Sequence, residues 1–128
     1  MKKDIQTKED IIQLVNVFYD KIRKNDILGY IFDEVAKTNW VEHLPVMYSF
    51  WGSILLGEKS FSGNPMKKHI ELAEITDMTD KEFSEWLRIF YATIDELFEG
   101  QTAEEAKARA QNIARLMLVN IDRRRQNI

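Results

Sequence analysis

Trp40-Val41-Glu42-His43-Leu44-Pro45-Val46-Met47-Tyr48-Ser49-Phe50-Trp51 is the stretch that decides how this chain folds. Trp40, His43, Leu44, Met47, Phe50, Trp51, Ile54 and Leu55 recur at the three- and four-residue steps of an α-helix, giving one wide, strongly aromatic face. Asn39 is a good N-cap for that helix, and Gly57 ends it. Pro45 is awkward: it has no N–H to donate and crowds the carbonyl of Val41. The first turn around His43 is therefore either bent or a separate short turn.

The same rhythm extends outward in both directions. Thr7 and Asp10 form a capping box, Asp being a weaker partner there than Glu, and the helix behind them carries Ile11, Leu14, Val15, Phe18 and Ile22 on one face with Tyr19 beside them. That pattern stops near Asn25, and Ile27 to Phe32 reads as a brief helix or turn. Phe61-Ser62-Gly63-Asn64-Pro65 reads as loop, and Pro65 opens a short helix with Met66, His69, Ile70 and Leu72. Thr79 and Glu82 form a clear capping box ahead of Phe83, Trp86, Leu87, Phe90, Ile94, Leu97 and Phe98, with Gly100 as the stop. Thr102 and Glu105 suggest another box, before an inner stripe of Ala106, Ala110, Ile113, Ala114, Met117 and Ile121. The alanines of that stripe imply close approach by a neighbouring helix. Arg123-Arg124-Arg125 suits a helix C-terminus. No run argues for a strand. The expected fold is all-α, a single domain over residues 1–128, with four substantial helices and two or three short ones.

Composition narrows the function classes. The chain has 128 residues, 45% of them hydrophobic and 30% charged, which is enough for one real core. A net charge of −3 argues against nucleic acid as a partner. No stretch approaches the ~20 apolar residues of a membrane span. The start, Met1-Lys2-Lys3-Asp4-Ile5-Gln6, lacks the apolar run of a signal peptide, so a cytoplasmic location is expected. Cysteine is absent, which removes disulfides and thiolate metal sites. Any soft-metal or porphyrin-iron site must then rest on the two histidines, His43 and His69.

Taken singly, each candidate has an ordinary reading. A lone histidine on a short, apolar-edged helix is usually packed or at the surface, and this holds for His69 and His43 alike. Tyr19 and Trp86 are more often core aromatics, although each carries a polar handle that needs a partner when buried. Trp donates and Tyr donates or accepts, so two such groups near one pocket would suit a partly negative ligand. The sequence does not place them together. Zinc held by His43, His69 and carboxylates such as Glu42 or Glu71 is conceivable, but no ligand spacing supports it. There is no phosphate loop, His-Glu-x-x-His or nucleophile elbow, so no catalytic residue is assigned.

Read in order, the motifs resemble the truncated haemoglobins, group III branch. They are Phe18-Tyr19, Leu28-x-x-x-Phe32, Trp40-x-x-His43-Leu44-Pro45-x-Met47-x-x-Phe50-Trp51, Leu56-Gly57, Phe61-x-Gly63-Asn64-Pro65-Met66-x-x-His69, Ile75-Thr76 and Phe83-x-x-Trp86-Leu87-x-x-Phe90, followed by the Ala-rich helix. The resemblance runs from about Ile5 to Ile121. Phe61 stands where the family commonly has Tyr.

The resemblance implies a two-over-two helical sandwich around one haem b (iron protoporphyrin IX). His69 corresponds to the proximal iron ligand. Tyr19, His43, Met47 and Trp86 correspond to the distal, ligand-binding side. Phe32 corresponds to the aromatic packed on the haem, with Phe50, Met66 and Phe83 as further wall candidates and Lys67 or Lys68 near a propionate. It implies oxygen binding, in the broad sense that includes oxygen transport, and binding of NO and CO. Donors from Tyr19 and Trp86 would retain O2, favouring sensing, nitric oxide dioxygenase chemistry or a weak peroxidase over bulk carriage. His43 would donate to the ligand, gate the pocket or bind iron. A reductase partner and a monomer or weak dimer are the expected company. The competing reading is a haem-free helical interaction module whose aromatics only fill a core.

Overall fold

A computed structural model describes the backbone of residues 2–31, 40–57 and 79–126, and the side chains of the same residues up to Val119. Five helices cover most of these: α1 Lys8–Lys24, α2 Leu28–Tyr30, α3 Trp40–Leu55, α4 Asp80–Leu97 and α5 Gln101–Gln126. No strand occurs among the described residues. The expected segment from Phe61 through Pro65 to His69, the N-cap Asn39, and Phe32, Met66, Lys67 and Lys68 lie outside them, as do the side chains of Ile121 and of Arg123 to Arg125.

Helix α1 opens as its sequence requires. Thr7 accepts from the backbone N–H of Asp10 (3.2 Å), and Asp10 accepts in return from Gln6 (2.9 Å) and Thr7 (3.1 Å). Its apolar face, Ile11, Leu14, Val15, Phe18, Tyr19 and Ile22, is buried throughout. A fully buried side chain of this size stabilises by about 1.5–3 kcal/mol relative to an exposed one. This face packs against both α3 and α4, so α1 is the centre of the fold. Helix α2 lies across the end of α1, where a Cβ on Gly29 would meet the Arg23 carbonyl oxygen at 2.4 Å.

Helix α3 runs unbroken from Trp40 to Leu55 with Pro45 inside it, so the separate first turn is not formed. The ring omits one bond, the one that would reach the Val41 carbonyl, and the helix continues through it. Helix α4 is capped by Glu82, which accepts from Thr79 N (3.0 Å) and from Thr79 Oγ1 (2.6 Å). It ends at Leu97, and the chain passes through extended Phe98 to Gly100. Ala103, Ala106, Ala110 and Ala114 are all buried, and α5 packs along α4 as the alanine stripe implies.

One cap differs from expectation. Thr102 lies inside α5, and the helix is capped from the far end of the chain: Asp4 accepts from Thr102 N (2.9 Å) and Ala103 N (2.8 Å). Gly100, at φ 146°, makes room, since a Cβ there would come within 2.5 Å of the Asp4 carboxyl. Burial pushes the Asp4 carboxyl up, but the amides of Thr102, Ala103 and Ile5 outweigh it and hold it below the ordinary carboxylate value. Asp10 behaves likewise: burial raises it, and Lys3 at 2.7 Å with two backbone amides brings it below normal. Groups depressed in the folded state stabilise it above their unfolded pKa of ~3.9, and that stability is lost as pH falls through the lower folded value. Asp4→Ala is expected to cost about 1–2 kcal/mol at neutral pH, the usual worth of an N-cap. Its acid-unfolding curve should lose part of the stability decline seen below about pH 4 in the parent. Urea titrations at pH 7 and pH 3 check both.

Candidate functional site

The site forms where α1, α3 and α4 meet. Phe18 is its hub, with its ring edge-on to Tyr19 (centroids 5.0 Å), Trp86 (5.6 Å) and Phe90 (5.1 Å). Trp86 and Phe90, one turn apart on α4, are stacked at 5.8 Å and 8°. Trp51 of α3 stacks on Phe90 at 4.9 Å, and Phe50 meets Trp51 at 5.4 Å. Offset and edge-on pairs at these distances add to simple area burial. The aromatic ladder fixes the three helices relative to one another and gives the site apolar walls.

The polar groups sit at one end of this ladder. Tyr19 follows Phe18 by one residue, so it is turned about 100° around α1, away from α4 and toward α3. There its ring meets His43 edge-on at 5.2 Å and Trp40 at 5.4 Å. Tyr19 is only 3% exposed, and burial pushes its phenol well above the ordinary value. The hydroxyl therefore keeps its proton across the physiological range and remains a donor. His43 Nε2 is sealed from solvent. Met47, one turn along α3 from His43, is buried.

Of the residues singled out from sequence, the structure brings Tyr19 and His43 into direct contact. Trp86 meets the same Phe18 ring and is buried, with Phe83 buried one turn before it. Phe50 is half-buried on the face of α3 that also carries Trp40, Leu44, Ile54 and Leu55, all half-buried. His69, Phe32 and Met66 fall outside the described residues. The donor set present fits a haem pocket: an apolar aromatic wall, a protonated phenol, an imidazole and a thioether, with no carboxylate facing it among the contacts above. Among the described residues, no group of three or more His, Asp or Glu could hold a bare metal ion. None of the helices in the described residues is long and apolar enough to cross a membrane.

Two residues of the site carried no assigned role in the sequence reading. Trp40 touches Tyr19 and also His43 (5.7 Å), and the Arg23 guanidinium lies 5.0 Å from the Trp40 ring centroid. Local spacing held half the signal. Arg23 is four residues after Tyr19, and Trp40 is three before His43, so each shares a helix face with a site residue. That the two faces meet is a tertiary fact. A separate, wider groove of about 590 Å³, lined by Lys2, Asp95, Glu104 and Lys107 among others, shares no residue with this cluster. It is crossed by surface ion pairs, Lys107–Asp95 at 2.5 Å among them, and has no aromatic–donor pairing of this kind.

Comparison with known proteins bears on the family and the fold. The sequence profile of the bacterial-like globin family matches residues 3–119. The chain is 35% identical over 118 residues to a group 3 truncated hemoglobin of Campylobacter jejuni subsp. jejuni, covering 89% of this chain and 90% of the relative. Its fold matches the crystal structure of a group III truncated hemoglobin from Campylobacter jejuni with a TM-score of 0.80 and 30% identity, over 94% of this chain and 95% of the other.

Proposed function

We propose a function from one premise: the chain belongs to the bacterial-like globin family and, within it, to the group III truncated haemoglobins. It is a haem globin, and globins bind small gaseous ligands. Beyond that, the reading offered here is a haem b protein that takes O2, NO or CO at a His69-ligated iron and retains O2 tightly. The observation that carries it is the contact of a buried, protonated Tyr19 with His43 at the end of an apolar aromatic wall.

When bound, the haem supplies a ferrous centre that passes electron density to a diatomic ligand. His69 would hold the iron through one neutral nitrogen, its other N–H kept by a carbonyl or water. Tyr19 O–H and Trp86 Nε1–H would donate toward a partly negative ligand held there. Both are held in place by Phe18 before any ligand arrives, so little reorganisation is needed. His43 either donates as well or swings aside. Met47, Phe50 and Phe83 would exclude water from the pocket, with Phe32 and Met66 as the further wall residues the family resemblance implies. Retention of this kind suits sensing, or nitric oxide or peroxide chemistry with an external reductase, better than bulk oxygen transport.

The test is a visible absorption spectrum of the purified protein, as isolated and after reduction under CO. An intense haem band that shifts with CO is expected. A colourless protein that stays folded and takes up no added haem would restore the haem-free helical module and remove this reading.

A further inference from the structure

We infer that Trp40, latched by Arg23, controls the entry of small ligands to the Tyr19–His43 pair. The inference rests on the haem-ligand reading above and deepens it. Three observations converge. First, a hollow of about 220 Å³ opens between α1 and α3, lined by Asn16, Tyr19, Asp20, Arg23, Trp40 and Leu44. Tyr19 lines it, although that residue is almost wholly buried. A path from solvent as far as Tyr19 therefore exists on this side, with Trp40 beside it in the wall.

Second, the Trp40 ring is in contact with Tyr19 and His43 together, so displacing it uncovers both at once. Arg23, one turn beyond Tyr19 on α1, places its cation 5.0 Å from that ring. A cation over an indole face at this distance is attracted by the ring quadrupole, and the attraction holds the indole against α1.

Third, the turn that carries Trp40 is weakly held by its own backbone. It spans Trp40 to Leu44, at the start of the described part of α3. Pro45 then removes the bond that would reach the Val41 carbonyl. Farther along, Tyr48 donates to Asn16 and ties the body of α3 to α1. Opening is thereby confined to the Trp40–Leu44 turn, and side-chain contacts set how often it occurs.

A latch predicts a kinetic pattern that a ligand-stabilising residue does not. It alters the rates of entry and exit by the same factor and leaves affinity unchanged, whereas a hydrogen-bond donor acts mainly on exit. In the haem-loaded protein, Arg23→Gln is expected to raise CO association and dissociation together by about two- to fivefold, the range set by an exposed cation–π contact, with Kd unchanged. Arg23→Lys keeps the cation and should stay near the parent. Hydrogen exchange of the amides of residues 40–44, measured on the same haem-loaded protein, should quicken in Arg23→Gln and not in Arg23→Lys. Unchanged ligand rates in Arg23→Gln, or a change in dissociation alone, would overturn the latch. So would ligand rates that rise while exchange in the turn does not. Failure of the parent to bind CO at all would instead strike the haem-ligand reading, and the exchange data would then decide alone whether Arg23 holds the turn.

Discussion

Tyr19→Phe and Trp86→Phe are each expected to release O2 roughly ten- to a hundredfold faster than the parent haem protein. A hydrogen bond to a charged acceptor contributes about 1.5–3 kcal/mol, and ~1.4 kcal/mol is a factor of ten. Both substitutions preserve ring packing around Phe18 in large part, because Phe occupies most of the volume of either side chain. The control is CO, which gathers less negative charge and gains less from a donor. Its dissociation rate should move by a much smaller factor in both variants. Equal acceleration of O2 and CO would point to steric loosening, and unchanged O2 release in both would remove the donors from the account. The two rings share Phe18 as a neighbour, so the double variant is expected to depart from the product of the single effects. The raised phenol value adds a condition: Tyr19 keeps its proton throughout the physiological range, so its share of O2 retention should not vary there with pH.

His69→Ala is expected to remove the haem absorption band from the purified protein almost entirely while the far-ultraviolet circular dichroism stays helical. The coordinate bond from the His69 imidazole would be the strongest directional attachment between the haem and this chain, and the remaining contacts alone would hold it more weakly. The helical signal should persist because the core described here, Ile11, Leu14, Phe18, Ile22, Phe90 and Ile94, is built without His69. Free imidazole added to the variant is expected to restore part of the band by filling the deleted ligand's place. A variant that keeps full haem content with an unchanged spectrum would exclude His69 as the ligand and turn attention to His43. These two predictions separate the halves of the proposal, since one concerns attachment of the iron and the other the fate of the ligand.

Much of this architecture is legible from residue order, for local reasons. The Thr7–Asp10 and Thr79–Glu82 boxes mark helix starts because their partners lie three residues apart, within reach of a single turn. The buried faces of α1 and α4 follow from apolar spacing, because burial of a helix stripe needs only a neighbour and not a particular one. The cap on α5 shows where this legibility ends. Thr102 and Glu105 have the right spacing for a box, yet Asp4, 98 residues away from Thr102, takes the position. Spacing cannot exclude a better acceptor delivered by the fold. Pro45 is a second case. The sequence left open whether the chain would bend or break, and a continuous helix formed because a single bond is lost and the aromatic contacts of Trp51 and Trp40 hold α3 along its length.

By itself the sequence determined the described long helices and the all-α class, since these depend on periodicity, and an ordered set of motifs pointed to the distal residues now proposed. Only the tertiary structure decided that Tyr19 and His43 touch, that Tyr19 and Trp86 both meet Phe18, and that Arg23 covers Trp40. The physical reason is that periodicity specifies which way a side chain faces along its own helix, whereas contact between two helices depends on their packing register, which ring-on-ring fit across α1, α3 and α4 settles as a whole.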